Sequence, residues 1–249
     1  MENKNEIINI CLLAGKIMLE SGAETYRVED TMTRIASSFG ESNAQSYVTP
    51  TGIMFSINQI EPTNFIRILD RSTDLHKVAI VNSISRSISG GELTVSAASA
   101  KLKEVESITH AYPIAIQILA AAIASGCFTI MFEGQWLDFL PSFFIGGFGY
   151  SAMVYFHKVV EIRFFAEFLA SFFIGLLTYL SIDIGAGQQM DKIIIGSVMP
   201  LVPGLLITNA VRDLMAGHLV SGLSKGAEAF LTAFAIGAGI AFVVSVFPF

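Results

Sequence analysis

The chain predicts an α-helical integral membrane protein with five transmembrane helices, preceded by a small α+β cytosolic domain, and three observations carry that reading. Apolar residues make up 53% of the 249 positions against 14% charged, and the mean hydropathy is +0.61. The charge is unevenly placed, because ten of the 15 Lys and Arg and 13 of the 21 acids lie before Pro113. Beyond Pro113 the chain holds five apolar runs of about 20 residues, the length a hydrocarbon core requires. Residues 1–110 therefore form a water-facing domain large enough to bury a modest core of its own, and residues 111–249 form the membrane domain.

In the first domain, Ile7, Ile10, Leu13, Ala14, Ile17 and Met18 recur at helical spacing over Glu6 to Ser21 and stop at Gly22. Glu24 to Phe39 repeats the pattern through Val28, Met32, Ile35 and Ala36, ending at Gly40. Ser46 to Ile60 is rich in β-branched and aromatic residues and is interrupted by Pro50 and Gly52, which predicts two strands, with a third over Asn64 to Leu69. Leu75 to Ile88 and Thr94 to Ile108 read as helices divided by Gly90 and Gly91. The polar run Glu24, Thr25, Tyr26, Arg27, Glu29, Asp30 could hold a ligand, although a charge run on a helix is usually a solvated face.

The predicted spans are about Pro113 to Phe132, Leu137 to Phe156, Phe164 to Ile182, Ile193 to Ala210 and Gly226 to Phe247. Lys158 and Arg163 fall on one connection and Arg212 and Lys225 on the last loop, whereas the turn from Glu133 to Trp136 has no positive charge. Because Lys and Arg favour the cytoplasmic side, the N-terminus is expected inside and the C-terminus in the periplasm or exterior. The early apolar run Ile7 to Leu13 is broken by Asn9 and is not expected to act as a cleavable signal. Small residues recur at four-residue spacing in Ala229, Ala233, Gly237 and Ala241, in Gly196, Pro200 and Gly204, and in the pairs Ser142 with Gly146 and Gly147 with Ser151. Such stripes allow close helix approach, within a subunit more often than between subunits.

The fourth run carries the most informative feature, MPLVPGLLITNA followed by VRDLMAGHLVSGLSKGAEA. Pro200 and Pro203 each delete a backbone donor, and with Gly204 they predict a kinked or unwound helix of the kind that holds substrate in secondary transporters. A purely structural kink is the competing reading. Asn209, Asp213 and Gly217 would share one face if the helix continues, while Arg212 and Asp213 could simply pair with each other. Among the few other charges, Asp138 reads as structural at the start of the second span. Glu167, one turn into the third, is a candidate proton carrier if it lies at membrane depth.

Several classes are disfavoured. Cys11 and Cys127 lack metal-ligand spacing, and no phosphate loop, nucleophile elbow, zinc-spaced His pair or dinucleotide fingerprint is present, so no catalytic residue, cofactor or metal is assigned. The net charge of −6 is spread without a basic stripe, which argues against nucleic acid. Thr49, Thr51, Ser56 and His76 leave a membrane-tethered hydrolase as an alternative, and a non-transporting assembly or sensory subunit is another.

The stretches SGAETYRVEDTMTRIASSFG at Ser21 to Gly40, VTPTGIMFSI at Val48 to Ile57 and MPLVPGLLITNAVRDLMAGHLVSGLSKGAEA at Met199 to Ala229 resemble the threonine/serine exporter (ThrE-like) family, specifically the YjjP-type larger subunit of its split, two-chain members. The resemblance spans nearly the whole chain. It implies export from the cytoplasm, across the cell inner membrane, of small hydrophilic carboxylates: threonine- and serine-type amino acids or dicarboxylates such as succinate, driven by protons. Single-chain members look like this unit continued by further spans, so the resemblance also implies a second small membrane subunit, of YjjB type, as partner. The site residues expected for the carboxylate are Pro200, Pro203, Gly204, Asn209, Arg212 and Asp213, with Glu167 for proton coupling.

Overall fold

A computed structural model describes residues 2–108, 112–160 and 163–247. It is mostly helical and divides into two compact units. The first contains residues 1–111 and 205–226, the second residues 112–204 and 227–249.

In the first unit, α1 (Glu2–Glu20) and α2 (Thr25–Ser38) are followed by β1 (Gln45–Thr49), β2 (Gly52–Ser56) and β3 (Asn64–Arg67), then α3 (Leu75–Ser89) and α4 (Val95–Ser107). The strands form an antiparallel sheet in the order β1-β2-β3, with Val48 opposite Ile53 and Ile53 opposite Ile66. The break expected at Pro50 and Gly52 is the tight turn of the first hairpin, and Gly52 leaves room for the Phe65 ring, whose edge lies 2.7 Å from where a Cβ would sit. The helical stripe of α1 (Ile10, Cys11, Ala14, Ile17, Met18) packs with Val28, Met32 and Ile35 of α2 and with Ile53 and Phe55 of the sheet, all buried. Gly15 lets the two helices close, since a Cβ would meet Met32 Sδ at 2.4 Å. Burial pushes the Cys11 thiol up to about 12, which makes it a core residue and not a reactive one.

The second unit is built on α5 (Ile114–Met131), α6 (Trp136–Val159), α7 (Arg163–Asp183), α8 (Met190–Val198) and the later turns of α10 (Leu219–Val246). Its interior combines small and hydroxylated residues, among them Ala121, Ser125, Thr129, Ser142, Gly146, Gly149 and Ser197, with an aliphatic cluster around Ile145, Ile174 and Ile193, while Leu119, Ile123, Phe144, Phe148 and Phe234 are exposed. Large apolar side chains on the surface and small residues at the helix contacts are what lipid as the solvent favours, with close backbone approach in place of a hydrophobic driving force. Added Cβ atoms on Gly146 and Gly196 would lie 1.9 Å from Ser125 Oγ and 2.0 Å from Thr129 Oγ1. On α10 the packed face instead runs through Thr232, Ile236, Gly239 and Val243, and the stripe of Ala233, Gly237 and Ala241 is exposed.

Among the described residues, four helices are long and apolar enough to cross a membrane, and five spans result if one broken pair counts as one. That pair is the fourth expected span. α8 passes into a 3-10 turn at Met199–Leu201, Val202 is extended (φ −65°, ψ 130°), and α9 (Gly204–Met215) begins after Pro203. The cause is local: Pro200 and Pro203 supply no N–H, and Pro203 excludes Val202 from helical geometry. The last expected loop is corrected. α10 begins at Leu219, so Lys225 lies on a helix instead of a connection, and the linker from α9 is only residues 216–218.

Candidate functional site

The turn after α1 leaves the start of α2 without a cap of its own. Gly22 adopts φ +87°, and Glu24 is extended and makes no side-chain cap bond. The missing acceptor comes from 188 residues away: Thr25 N donates to Asp213 Oδ1 at 2.9 Å, in a position where a carboxylate is favoured by the helix dipole. Asp213 Oδ2 accepts from Lys225 Nζ at 2.8 Å, and Lys225 Nζ also lies 3.2 Å from Thr25 Oγ1 and 3.5 Å from Ala23 O. The relative exposure of Asp213 is 0% and that of Lys225 is 3%, so this ion pair is withdrawn from water and held by hydrogen bonds on both sides.

The hairpin that presents these two residues has its own local logic. α9 ends in a Schellman turn, with Gly217 at φ +87°, Gly217 N donating to Leu214 O and His218 N to Asp213 O. Gly222 allows α10 to fold back, since a Cβ there would lie 2.5 Å from Leu214 Cγ. Asn209, one turn before Asp213 on the same face, donates through Nδ2 to Gly22 O at 2.9 Å. Ser221 Oγ, one turn before Lys225, donates to Val48 O at 3.1 Å.

Two further acids complete the cluster. Glu24 is buried, with Arg212 on one carboxylate oxygen and Arg27 at 3.0 Å on the other. Burial alone would raise its carboxyl, but its own backbone N–H and the two guanidinium groups outweigh that and hold it below the usual range. Glu29 Oε1 accepts from Val48 N at 2.8 Å and faces His218 Nδ1 at 3.7 Å. Burial and, more weakly, the Asp213 charge raise the Glu29 carboxyl against the opposing pull of Val48 N–H and His218.

The Glu29 shift has a definite sign. The folded chain retains a proton at Glu29 to higher pH than the unfolded chain does, so the Glu29 contribution to stability is fully present below the ordinary glutamate value and is lost as pH rises through the raised one. Glu29→Gln keeps an oxygen for Val48 N and removes the charge. It is expected to flatten the dependence of thermal unfolding on pH and to stabilise the chain at neutral pH. An unchanged pH profile would contradict the assignment.

The expected site residues divide. Asn209, Arg212 and Asp213 come together here with Glu24, Thr25 and Lys225, whereas Pro200, Pro203 and Gly204 form the helix break. Arg212 and Asp213 do not pair with each other; each takes a partner elsewhere. The reading of Glu24 and Thr25 as part of a solvated face is corrected, because both are buried by these contacts. Lys225 was counted only as a loop charge, and its sole sequence signal is a lone cation among small residues in SGLSKGAEA. Ser56 Oγ and Thr49 Oγ1, invoked for a nucleophile, donate to main-chain carbonyls. Glu167 lies in the second unit, buried, with His157 Nε2 3.2 Å from Oε1 and no partner on Oε2 among the described residues. No group of three or more potential metal ligands occurs among the described residues.

Membrane-length helices, one of them broken at prolines, together with buried ionisable side chains define a membrane transport protein, and the comparisons with known proteins agree. Residues 9–247 match the family model described as "Putative threonine/serine exporter", and the chain belongs to that family. It is 25% identical over 240 residues to the "Probable succinate transporter subunit YjjP" of Klebsiella aerogenes, covering 94% of this chain and 91% of that one. Its identity to the protein of the same description from Escherichia coli is 23%, over 98% and 96% of the two chains. A "Probable threonine/serine exporter" of Mycobacterium tuberculosis is 21% identical over 92% of this chain and 44% of its own length. These are transporters and not enzymes. No solved structure matches the chain.

Proposed function

We propose that this chain is one subunit of a two-component secondary transporter that exports small hydrophilic carboxylates, amino acids of the threonine and serine type or dicarboxylates such as succinate, from the cytoplasm in exchange for protons. The observation that carries the reading is the buried Asp213–Lys225 pair beside the Glu24–Arg212 pair. A substrate carboxylate is the same chemical group as the side chains that Lys225 and Arg212 hold in this state. It can therefore compete for those cations and release the α9–α10 hairpin from α2, which gives a two-state element that substrate biases. Asn209, Arg212 and Asp213 meet the substrate at this two-state element. Pro200, Pro203 and Gly204 supply the break at which the carboxylate meets the positive end of the α9 dipole, and Glu167 with its His157 neighbour carries the proton.

Five spans with the N-terminus in the cytosol and the C-terminus outside the inner membrane follow from the distribution of Lys and Arg. The word "subunit" in the description of the two relatives covered over nearly their full length supports a partner, which we take to be a small membrane protein of YjjB type. Efflux from liposomes tests the proposal. Labelled succinate or threonine should leave vesicles that hold both chains and stay in vesicles that hold this chain alone. Efflux from this chain alone would overturn the two-component reading, and no movement of any carboxylate or amino acid with both chains present would overturn the transport reading.

A further inference from the structure

We infer that Asp138 is a proton-exchange site, a second titrating carboxyl at the end of α6 opposite to Glu167; the inference rests on the proposed proton coupling. Asp138 sits in the first turn of α6 and is fully buried. Its Oδ1 accepts from Gln188 N at 2.6 Å and from Gln189 N at 3.3 Å, the residues that lead into α8, and this alone satisfies a structural capping role. Among the described residues the other oxygen, Oδ2, is buried and has no donor, and the side-chain Oε1 of Gln189 is buried and donorless too. These two acceptors stand on residues already joined by a hydrogen bond, and a proton on Oδ2, a water or a turned Gln189 amide would each supply the missing donor. Protonation at Oδ2 removes an uncompensated buried charge and creates a donor where only acceptors stand.

The surroundings suit a proton that comes and goes. One turn further along the same face of α6 is Ser142, whose Oγ lies 2.7 Å from Thr129 Oγ1. Thr129 Oγ1 is 3.0 Å from Ser125 O, and Ser197 Oγ is 3.5 Å from Ser142 O, so buried hydroxyls continue inward between α5, α6 and α8. Among the described residues, other titratable groups leave Asp138 without a counter-charge. On α5 the sole titratable side chain is Cys127, which is exposed. Glu133 and Asp183 are exposed, Lys192 pairs with Asp191, and Tyr179 of α7 packs on Phe247. Glu167, His157 and Lys158 belong to the far end of α6 and the start of α7. Asp138 and His157 are 19 positions apart, about 28 Å along a helix axis, which matches the roughly 30 Å hydrocarbon core. A carboxyl at each end is the arrangement needed to take up a proton on one side of the membrane and release it on the other.

Infrared difference spectroscopy of the full chain in lipid, titrated with pH, tests the inference. The expected result is a protonated-carboxyl C=O band that grows as pH falls, disappears in Asp138→Asn and persists in Glu167→Gln. Asn retains an oxygen for the two N–H donors, and Asp138→Ser, another short cap, replaces it if the Asn variant does not accumulate in the membrane. Absence of a titrating carboxyl band in the unmodified chain, or an unchanged band in the variant, overturns the site; a buried water on Oδ2 predicts that second outcome. A reconstituted pair of chains that transports without responding to a pH gradient would instead overturn the proton-coupled reading above. The infrared measurement decides Asp138 independently of it.

Discussion

Lys225→Met is expected to destabilise the chain by about 3–5 kcal/mol, because it leaves the Asp213 carboxylate buried without its cation. Asp213→Asn should cost a similar amount, since the Lys225 ammonium would then keep only Thr25 Oγ1 and Ala23 O. The double variant Asp213→Asn/Lys225→Met should recover most of the loss. No charge remains buried in it, and Asn still offers an oxygen to Thr25 N. Thermal unfolding of all four proteins in one detergent gives the coupling energy directly. If the two single costs simply add in the double variant, the pair is not the unit described here. Transport separates stability from function: the double variant should be folded yet impaired in export, because the buried Lys225 cation and the Asp213 carboxylate that the substrate displaces from it are gone and only the Arg212–Glu24 pair is left.

Pro203→Ala is expected to abolish export while leaving the amount of protein in the membrane unchanged. Pro203 holds Val202 extended and withholds an N–H, so its removal lets α8 and α9 fuse. The preference for a continuous helix should rise by about 3 kcal/mol, roughly a hundredfold in the equilibrium between broken and straight forms. Gly204→Leu should act in the same direction but more weakly, through the roughly 1 kcal/mol by which glycine disfavours a helix. It should not act through steric conflict, as a Cβ on Gly204 meets nothing within 4 Å. Membrane level and efflux measured together decide the matter, and normal efflux from the Pro203 variant would show the break to be only structural.

What could be read in advance depended on short-range physics. The apolar stripes of α1 and α2, the hairpin at Pro50 and Gly52, the apolar runs after Pro113 and the break at Pro200 and Pro203 are all set within a few residues, by helical or strand period and by the missing N–H of proline. The shared face of Asn209 and Asp213 was legible for the same reason, since a helix places i and i+4 together. What those residues touch was not. The cap on α2 is a carboxylate 188 positions away, Glu24 is as far from Arg212, and Lys225 meets Asp213 across the α9–α10 turn and Thr25 from 200 positions away. Glu24 and Lys225 looked like surface charges because charge on a helix is solvated unless a partner arrives to replace water, and only tertiary structure brings that partner. Asp138 was read as structural from its place at a helix start. Its complete burial and its one donorless oxygen depend on how α5, α6 and α8 close around it. Local period and backbone chemistry determined the elements and the broken helix; the cost of burying a charge, which depends on every group within a few ångströms, was decided by the fold.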